Sequence, residues 1–252
     1  MLTFTAVPGI PEILAGQSLA DVLVTALDQY GRKLVENDVV VFCQKVVSKS
    51  ERRLFALADI EPGARALEIS AICEKDPRLV ELVLRESTEV VRCVKDVLIV
   101  RHRLGFVVAN AAIDQSNVAG DGQNALLLPE DPDASAARLR QDIYERLGVS
   151  VAVLISDSFG RPWRLGVCGV CIGCAGMQPL LDKRGLTDRF GRKLEVTQIA
   201  VADEIVAAAT LVMGEADEGQ PVVIVSGVPA IYFSADKPAS SLVRQLDEDL
   251  FK

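Results

Sequence analysis

The sequence has a single histidine, His102, and a single tryptophan, Trp163, among 252 residues, and aromatic residues make up only 5% of it. Any site that needs a pair of histidines, such as a His-rich zinc centre, is excluded. No apolar run reaches the roughly 20 residues that span a bilayer. The start, from Met1 to Ile13, lacks a basic stretch followed by an apolar core, so neither a membrane span nor a signal peptide is expected. Cationic residues are in the minority, 27 Lys and Arg against 35 Asp and Glu, giving a net charge of −8. A nucleic-acid-binding surface would need a basic stripe instead. There is no Walker A run and no Gly-x-Gly-x-x-Gly; Pro8-Gly9-Ile10-Pro11-Glu12-Ile13 is only a turn with two prolines. The six cysteines come without an export signal, which points to reduced thiols in a cytoplasmic setting.

What is present is an ordinary globular composition, 50% apolar and 25% charged. It is long enough for a sizeable core in one large domain or two small ones. Strand-like runs alternate with helical patterns, so the expectation is an α/β or α+β protein. No linker or repeat is visible, and any second unit must be interleaved rather than appended. Ser18 reads as an N-cap, followed by a helical face of Leu19, Val22, Leu23, Ala26 and Leu27. Asp38 to Cys43 reads as a buried strand. Residues 62–74 and 77–92 read as two helices, and 96–100 and 105–109 as two strands joined by a turn. Residues 134–147 form a helix stopped by Gly148, and Val151 to Ile155 is a strand that ends at Ser156-Asp157, before a turn Ser158-Phe159-Gly160. Residues 199–213 read as a helix apolar almost all round, hence buried, and Val222 to Val225 as a last core strand.

Three acidic residues stand in short polar loops between these segments. Asp157 lies where a buried strand runs out, a place where α/β proteins bind ligands; it could equally cap a turn. Asp114 lies in Asn110-Ala111-Ala112-Ile113-Asp114-Gln115-Ser116-Asn117, which reads either as an oxygen-rich pocket or as an Asx-turn loop. Glu215 follows a buried helix, where a carboxylate faces the negative end of the helix dipole at a cost of about 0.3–1 kcal/mol. Asp217 and Glu218 crowd the same turn. Either water or a bound cation could offset this; hard divalent ions take such oxygen ligands together with phosphates and water, and carboxylates from distant segments suit a two-ion site.

Cationic side chains near these positions suit phosphate. Lys49 follows the apolar Val46-Val47. Arg161-Pro162-Trp163-Arg164 comes just after Asp157 and reads as an anion-binding pair of guanidiniums. Alternatively, Arg161 pairs with Asp157 and Trp163 is core. Cys168, Cys171 and Cys174 have a C-x-x-C-x-x-C spacing that suggests an iron–sulfur site. Their surroundings are apolar and small, without a proline-flanked fourth cysteine, and so favour buried hydrophobes.

Taken together, these segments resemble the coenzyme F420-0:L-glutamate ligases (F420 gamma-glutamyl ligases). The residues carrying the resemblance are Pro8 to Pro11, Gln44 to Lys49, Asn110 to Val118, Ser156 to Arg164, Val201 to Ile205 and Met213 to Glu215. They run in the family's order over nearly the whole chain. The resemblance implies one α+β domain over residues 1–252, with interleaved subdomains, no appended C-terminal domain and an intertwined homodimer. It implies γ-linked addition of L-glutamate to the deazaflavin F420-0, with GTP as co-substrate, two Mg²⁺ or Mn²⁺ ions and K⁺. Asp114, Asp157, Ser158 and Glu215 match the family's metal ligands. Ile10, Pro11, Glu12, Ile13, Gln44, Lys45, Lys49, Asn117, Met213, Gly214, Glu215, Ala216, Asp217, Glu218, Gly219 and Gln220 match its GTP contacts. Lys49 and Asp157 take the catalytic roles, and Arg161 and Arg164 are candidates for binding the substrate. Ser158 stands where relatives carry Thr, which keeps the hydroxyl, and Glu12 replaces an apolar residue. An amide ligase with another acidic acceptor and a non-catalytic GTP- or metal-binding module are the alternative functions.

Overall fold

The computed structural model describes residues 1–118 and 122–248. In chain order its elements are β1 (Thr3–Ala6), α1 (Leu19–Tyr30), β2 (Val39–Cys43), α2 (Gln44–Ser50), β3 (Leu54–Ala56), α3 (Ala64–Cys73), α4 (Pro77–Arg85), β4 (Ser87–Val94) and β5 (Val97–His102). Then follow β6 (Val107–Ala109), β7 (Asn124–Leu126), α5 (Pro132–Leu147), β8 (Ala152–Arg161), β9 (Arg164–Ala175), β10 (Leu181–Asp182), β11 (Gln198–Ile199), α6 (Val201–Met213) and β12 (Val222–Ser226).

A five-stranded sheet of order β1-β12-β2-β8-β9 organises the molecule, and within it only β2 and β8 run parallel. The period-2 alternation of strand side chains sends Val40, Phe42, Val153 and Ile155 into one core with α1 and α5. Val39, Val41, Ala152 and Leu154 go into a second core with α6. With both faces covered, the central strands can be apolar throughout, as their sequences are. Between α2 and α5 the chain leaves this sheet. It builds the antiparallel β4-β5-β6 sheet under α3 and α4, and the β3-β7 pair, each with its own core. The whole is a mixed α+β arrangement. None of the helices among the described residues is long and apolar enough to cross a membrane.

Caps fix the helix ends, at Ser18 and Gly148 as the sequence indicates. Ser18 accepts from the Asp21 amide and Gly31 closes α1 in the left-handed region; Asp131 and Gly148 do the same for α5. Four expectations are corrected. The helix expected over 77–92 stops at Arg85, and Ser87 opens a strand paired with β5. Thr88, Val90 and Val91 are β-branched, which lowers helix preference and suits a pleated surface. The strand expected to end at Ser156-Asp157 continues to Arg161 and turns at Pro162-Trp163, because β9 pairs with it as far as Arg161↔Arg164. Trp163 is therefore not core: it sits on the turn with φ 56° and is 84% exposed. Finally, α6 is not enclosed on all sides, since its Leu211 is exposed.

Candidate active site

The site arises where β2 and β8 part company. Their last shared rung is Cys43↔Ser156. Beyond it β2 passes straight into α2, while β8 runs on held by β9 alone. A cleft opens at the carboxyl ends of the two parallel strands, the usual crevice of such sheets. It forms a cavity of about 410 Å³. Its walls are the turn 10–13, Lys45 and Lys49 of α2, Asn117, Asp157 and Ser158 of β8, and the segment 213–220.

Strand alternation points Asp157 and Ser158 to opposite faces. Asp157 Oδ1 accepts from the Ser158 amide at 2.8 Å. Its Oδ2 is buried without a hydrogen-bond partner among the described residues. Burial, reinforced by the nearby Asp114 charge, pushes the Asp157 carboxyl up to about 8. Asp114 is fixed by backbone bonds to Leu126 in both directions, at 3.0 and 2.9 Å. Its Oδ2 accepts from Gln44 Nε2 at 2.5 Å, and Lys45 Nζ lies 3.5 Å from its Oδ1. Burial raises this carboxyl too, against the pull of Lys45 and Gln44. Glu215 Oε2 accepts from Ser158 Oγ at 3.2 Å. Gly214, with φ 77°, makes this turn possible: a Cβ there would fall 2.1 Å from Glu218 Cδ.

Helix periodicity divides α2 into two faces. Gln44 and Ser48 are buried, and Ser48 Oγ donates to Gln44 Oε1 at 2.9 Å. That bond orients the amide so that its nitrogen meets Asp114. Gln44 thus lies behind the cavity wall, whereas Lys45 and Lys49 line the cavity. Lys49 Nζ contacts Glu12 Oε1 at 2.5 Å and the Asn117 carbonyl at 3.2 Å. Asn117 Nδ2 donates to the Ala216 carbonyl at 2.8 Å. Four segments remote in sequence are tied together by these bonds. Arg161 and Arg164 stand apart from them at the exposed end of the β8-β9 hairpin. Arg161 donates to the Leu165 carbonyl at 3.2 Å rather than pairing with Asp157.

The sequence reading missed Cys43, Ser156 and Thr210, which also line the cavity. The parallel register of β2 and β8 brings the first two together, and no local signal reveals it. Nor did the sequence reveal the Ser48–Gln44 relay, which depends on a helix of only seven residues.

The donors suit a hard cation. They are oxygen atoms; one of them is a buried orphan among the described residues, and the Asp114 and Glu215 charges help raise the Asp157 carboxyl. Among the described residues no three His, Cys, Asp or Glu side chains gather around one point as a metal cage. The acidic donors stand in two groups, Asp114 with Asp157 and Ser158 with Glu215. That is the arrangement expected for Mg²⁺-like ions, which take one or two carboxylates and fill the remaining positions with phosphate and water.

The cysteine run lies along β9. Cys171 and Cys174 are buried in the α6-side core, donating to the Gly173 and Met177 carbonyls at 3.2 and 3.5 Å. Burial pushes both thiols up, Cys174 to about 12, so they sit there as neutral packing groups.

A family profile described as F420-0:Gamma-glutamyl ligase matches residues 9–227. The chain is 43% identical over 251 residues to the Coenzyme F420:L-glutamate ligase of Methanothermobacter thermautotrophicus, covering 100% of this chain and 99% of the relative. It is 41% identical over 253 residues to the protein of that name from Methanopyrus kandleri, covering 100% and 98%. For that of Methanocaldococcus jannaschii the identity is 38% over 217 residues, covering 86% and 85%.

Proposed function

The chain belongs to the F420-0:gamma-glutamyl ligase family, and from that premise we propose that it joins L-glutamate by γ-linkage to coenzyme F420-0 at the expense of GTP. The single observation that carries the reading is the meeting, in one cavity, of Asp157, Ser158 and Glu215 with Lys45 and Lys49, with Asp114 3.5 Å from the Lys45 ammonium.

The terminal carboxylate of the acceptor attacks the γ-phosphorus of GTP, and the bond to the leaving GDP oxygen breaks. The resulting acyl phosphate is attacked by the glutamate amine, the new amide forms, and inorganic phosphate leaves. Asp114, Asp157, Ser158 and Glu215 are the residues that would hold two Mg²⁺ or Mn²⁺ ions. Bound there, the ions would neutralise phosphate charge. Lys49, released from Glu12, meets the transferring phosphoryl group. The turn 10–13 and the segment 213–220 enclose the nucleotide, and Gln44 acts beneath it by holding Asp114. Arg161 and Arg164 are left to the anionic acceptor. The exposed Trp163 and Leu165 beside them support the homodimer that the resemblance implies. Catalysis is by positioning and electrostatics, with no covalent nucleophile on the protein.

The test is Asp157→Asn. The variant keeps the fold and loses metal-dependent release of phosphate from GTP; turnover equal to that of the parent protein removes Asp157 from the site.

A further inference from the structure

Asp203 belongs to the Val201–Ile205 segment that carries the family resemblance, yet it lies at the far end of α6 from the cavity. Its Oδ1 accepts from the Cys171 amide of β9 at 2.9 Å. Among the described residues it has no ion-pair partner, and burial raises its pKa. A half-buried carboxylate with one backbone bond is costly unless that bond matters.

The bond falls on an irregularity. Ile155 pairs with Gly173, but the next residue, Ser156, pairs with Cys171, so Ile172 is the extra residue of a β-bulge. Since β9 is the edge of its sheet, amides around the bulge need partners from outside it. Asp203 takes that of Cys171. Asp133 takes that of Cys174 at 2.9 Å, and also accepts from Ala239 and Ser240, so it is committed to the C-terminal segment. Past the bulge β2 no longer supports β8. Asp157 and Ser158 therefore depend on their β9 partners, Val170 and Gly169. At Gly169 the hairpin lies directly on α6: a Cβ there would fall 2.7 Å from Thr210 Oγ1 and 2.9 Å from the Val206 carbonyl. Such a bare contact sets the distance between strand and helix but not how far one slides along the other. The Asp203–Cys171 bond does set it.

We propose that Asp203 is a positioning residue: by holding the Cys171 amide at the bulge it fixes the β8-β9 hairpin along α6, and so brings Ser158 of the hairpin to Glu215 beyond the helix end. From Asp203 to Met213 the helix rises about 15 Å, and it transmits the register as a rigid rod. This rests on the metal-site reading given above.

The experiment is a calorimetric Mn²⁺ titration of the intact protein without nucleotide, alongside hydrogen exchange at the Cys171 amide and thermal melting. Asp203→Ala is expected to weaken Mn²⁺ binding about tenfold and to speed exchange at Cys171, whereas Asp203→Asn, which keeps an acceptor oxygen, stays within about twofold of the parent. Should the alanine variant fold poorly, Asp203→Glu replaces it, since the added methylene misplaces the oxygen and the affinity falls likewise. A lower melting point with unchanged Mn²⁺ affinity means a purely structural role and overturns the proposal alone. If the parent protein binds no Mn²⁺ at all, the metal-site reading fails and takes this proposal with it.

Discussion

Ser158 Oγ donates to Glu215 Oε2 at 3.2 Å across 57 residues of sequence, while its neighbour Asp157 lies close enough to Asp114 for the Asp114 charge to help burial raise the Asp157 carboxyl. One strand end thus brings Asp157 and Ser158 into the same cavity as Glu215, whose charge also raises the Asp157 and Asp114 carboxyls.

The protonation of Asp157 gives the first prediction. Its folded pKa is raised from 3.8 to about 8. A carboxyl so shifted contributes stability that is present in full below the unfolded value and is lost as pH rises through the folded one. With metal chelated, the parent protein should therefore melt at lower temperature at about pH 9 than at about pH 6. Asp157→Asn should flatten that slope and melt above the parent at the alkaline end. Parallel melting curves for the two proteins would contradict the assignment.

Gln44 gives the second. Gln44→Leu leaves Ser48 Oγ and an Asp114 oxygen without their partner, which costs about 1–3 kcal/mol in denaturant unfolding. It also frees the Asp114 carboxylate, so Mn²⁺ affinity falls. Gln44→Glu is worse, because it sets a second carboxylate against Asp114. Unaltered affinity in Gln44→Leu would show that the amide does not hold Asp114.

The third concerns a buried cluster away from the cavity. Glu86 meets Arg53 Nη2 at 2.9 Å and Arg103 Nε at 3.0 Å. His102 Nε2 lies 3.6 Å away, while His102 Nδ1 accepts from the Leu104 amide. Burial pushes the Glu86 carboxyl up, but the imidazole and the two guanidiniums outweigh it and hold the group at about 2. At 3.6 Å the imidazole is too far for a hydrogen bond, so the guanidiniums carry the effect. With the folded pKa depressed, stability is present above the unfolded value of 4.5 and is lost as pH falls towards about 2. Glu86→Gln should cost about 1–3 kcal/mol at neutral pH, since the buried Arg53 loses its buried carboxylate and keeps only the exposed Glu130 as an ion-pair partner among the described residues, and should lose less on acidification. Acid titration of stability for both proteins checks this.

Much of this could be read from residue order alone. The buried strands Val39–Cys43 and Val222–Ser226, and the capped helices α1 and α5, follow from apolar runs and cap residues whose effects are local. Asp114, Asp157 and Glu215 stood out because each ends an apolar segment. What remained hidden is non-local. Ser158-Phe159-Gly160 looks like a turn until β9 is known to pair with it. The bulge at Ile172 shows only in the pairing, and the roles of Asp203 and Gln44 exist only once the strand, helix and loop have met. The extension of 77–92 into one helix failed because apolar spacing continued past Arg85, while the preference of Thr88, Val90 and Val91 for a strand was decided by their pairing with β5.

The measurement that bears most directly on the whole account is mass spectrometry of F420-0 incubated with the protein, L-glutamate, GTP and Mn²⁺. A gain of one or more glutamyl units on the deazaflavin is expected, with phosphate released in step and no product when GTP or the metal ion is withheld. An unchanged acceptor mass under the complete conditions, or equal product without GTP, would contradict it.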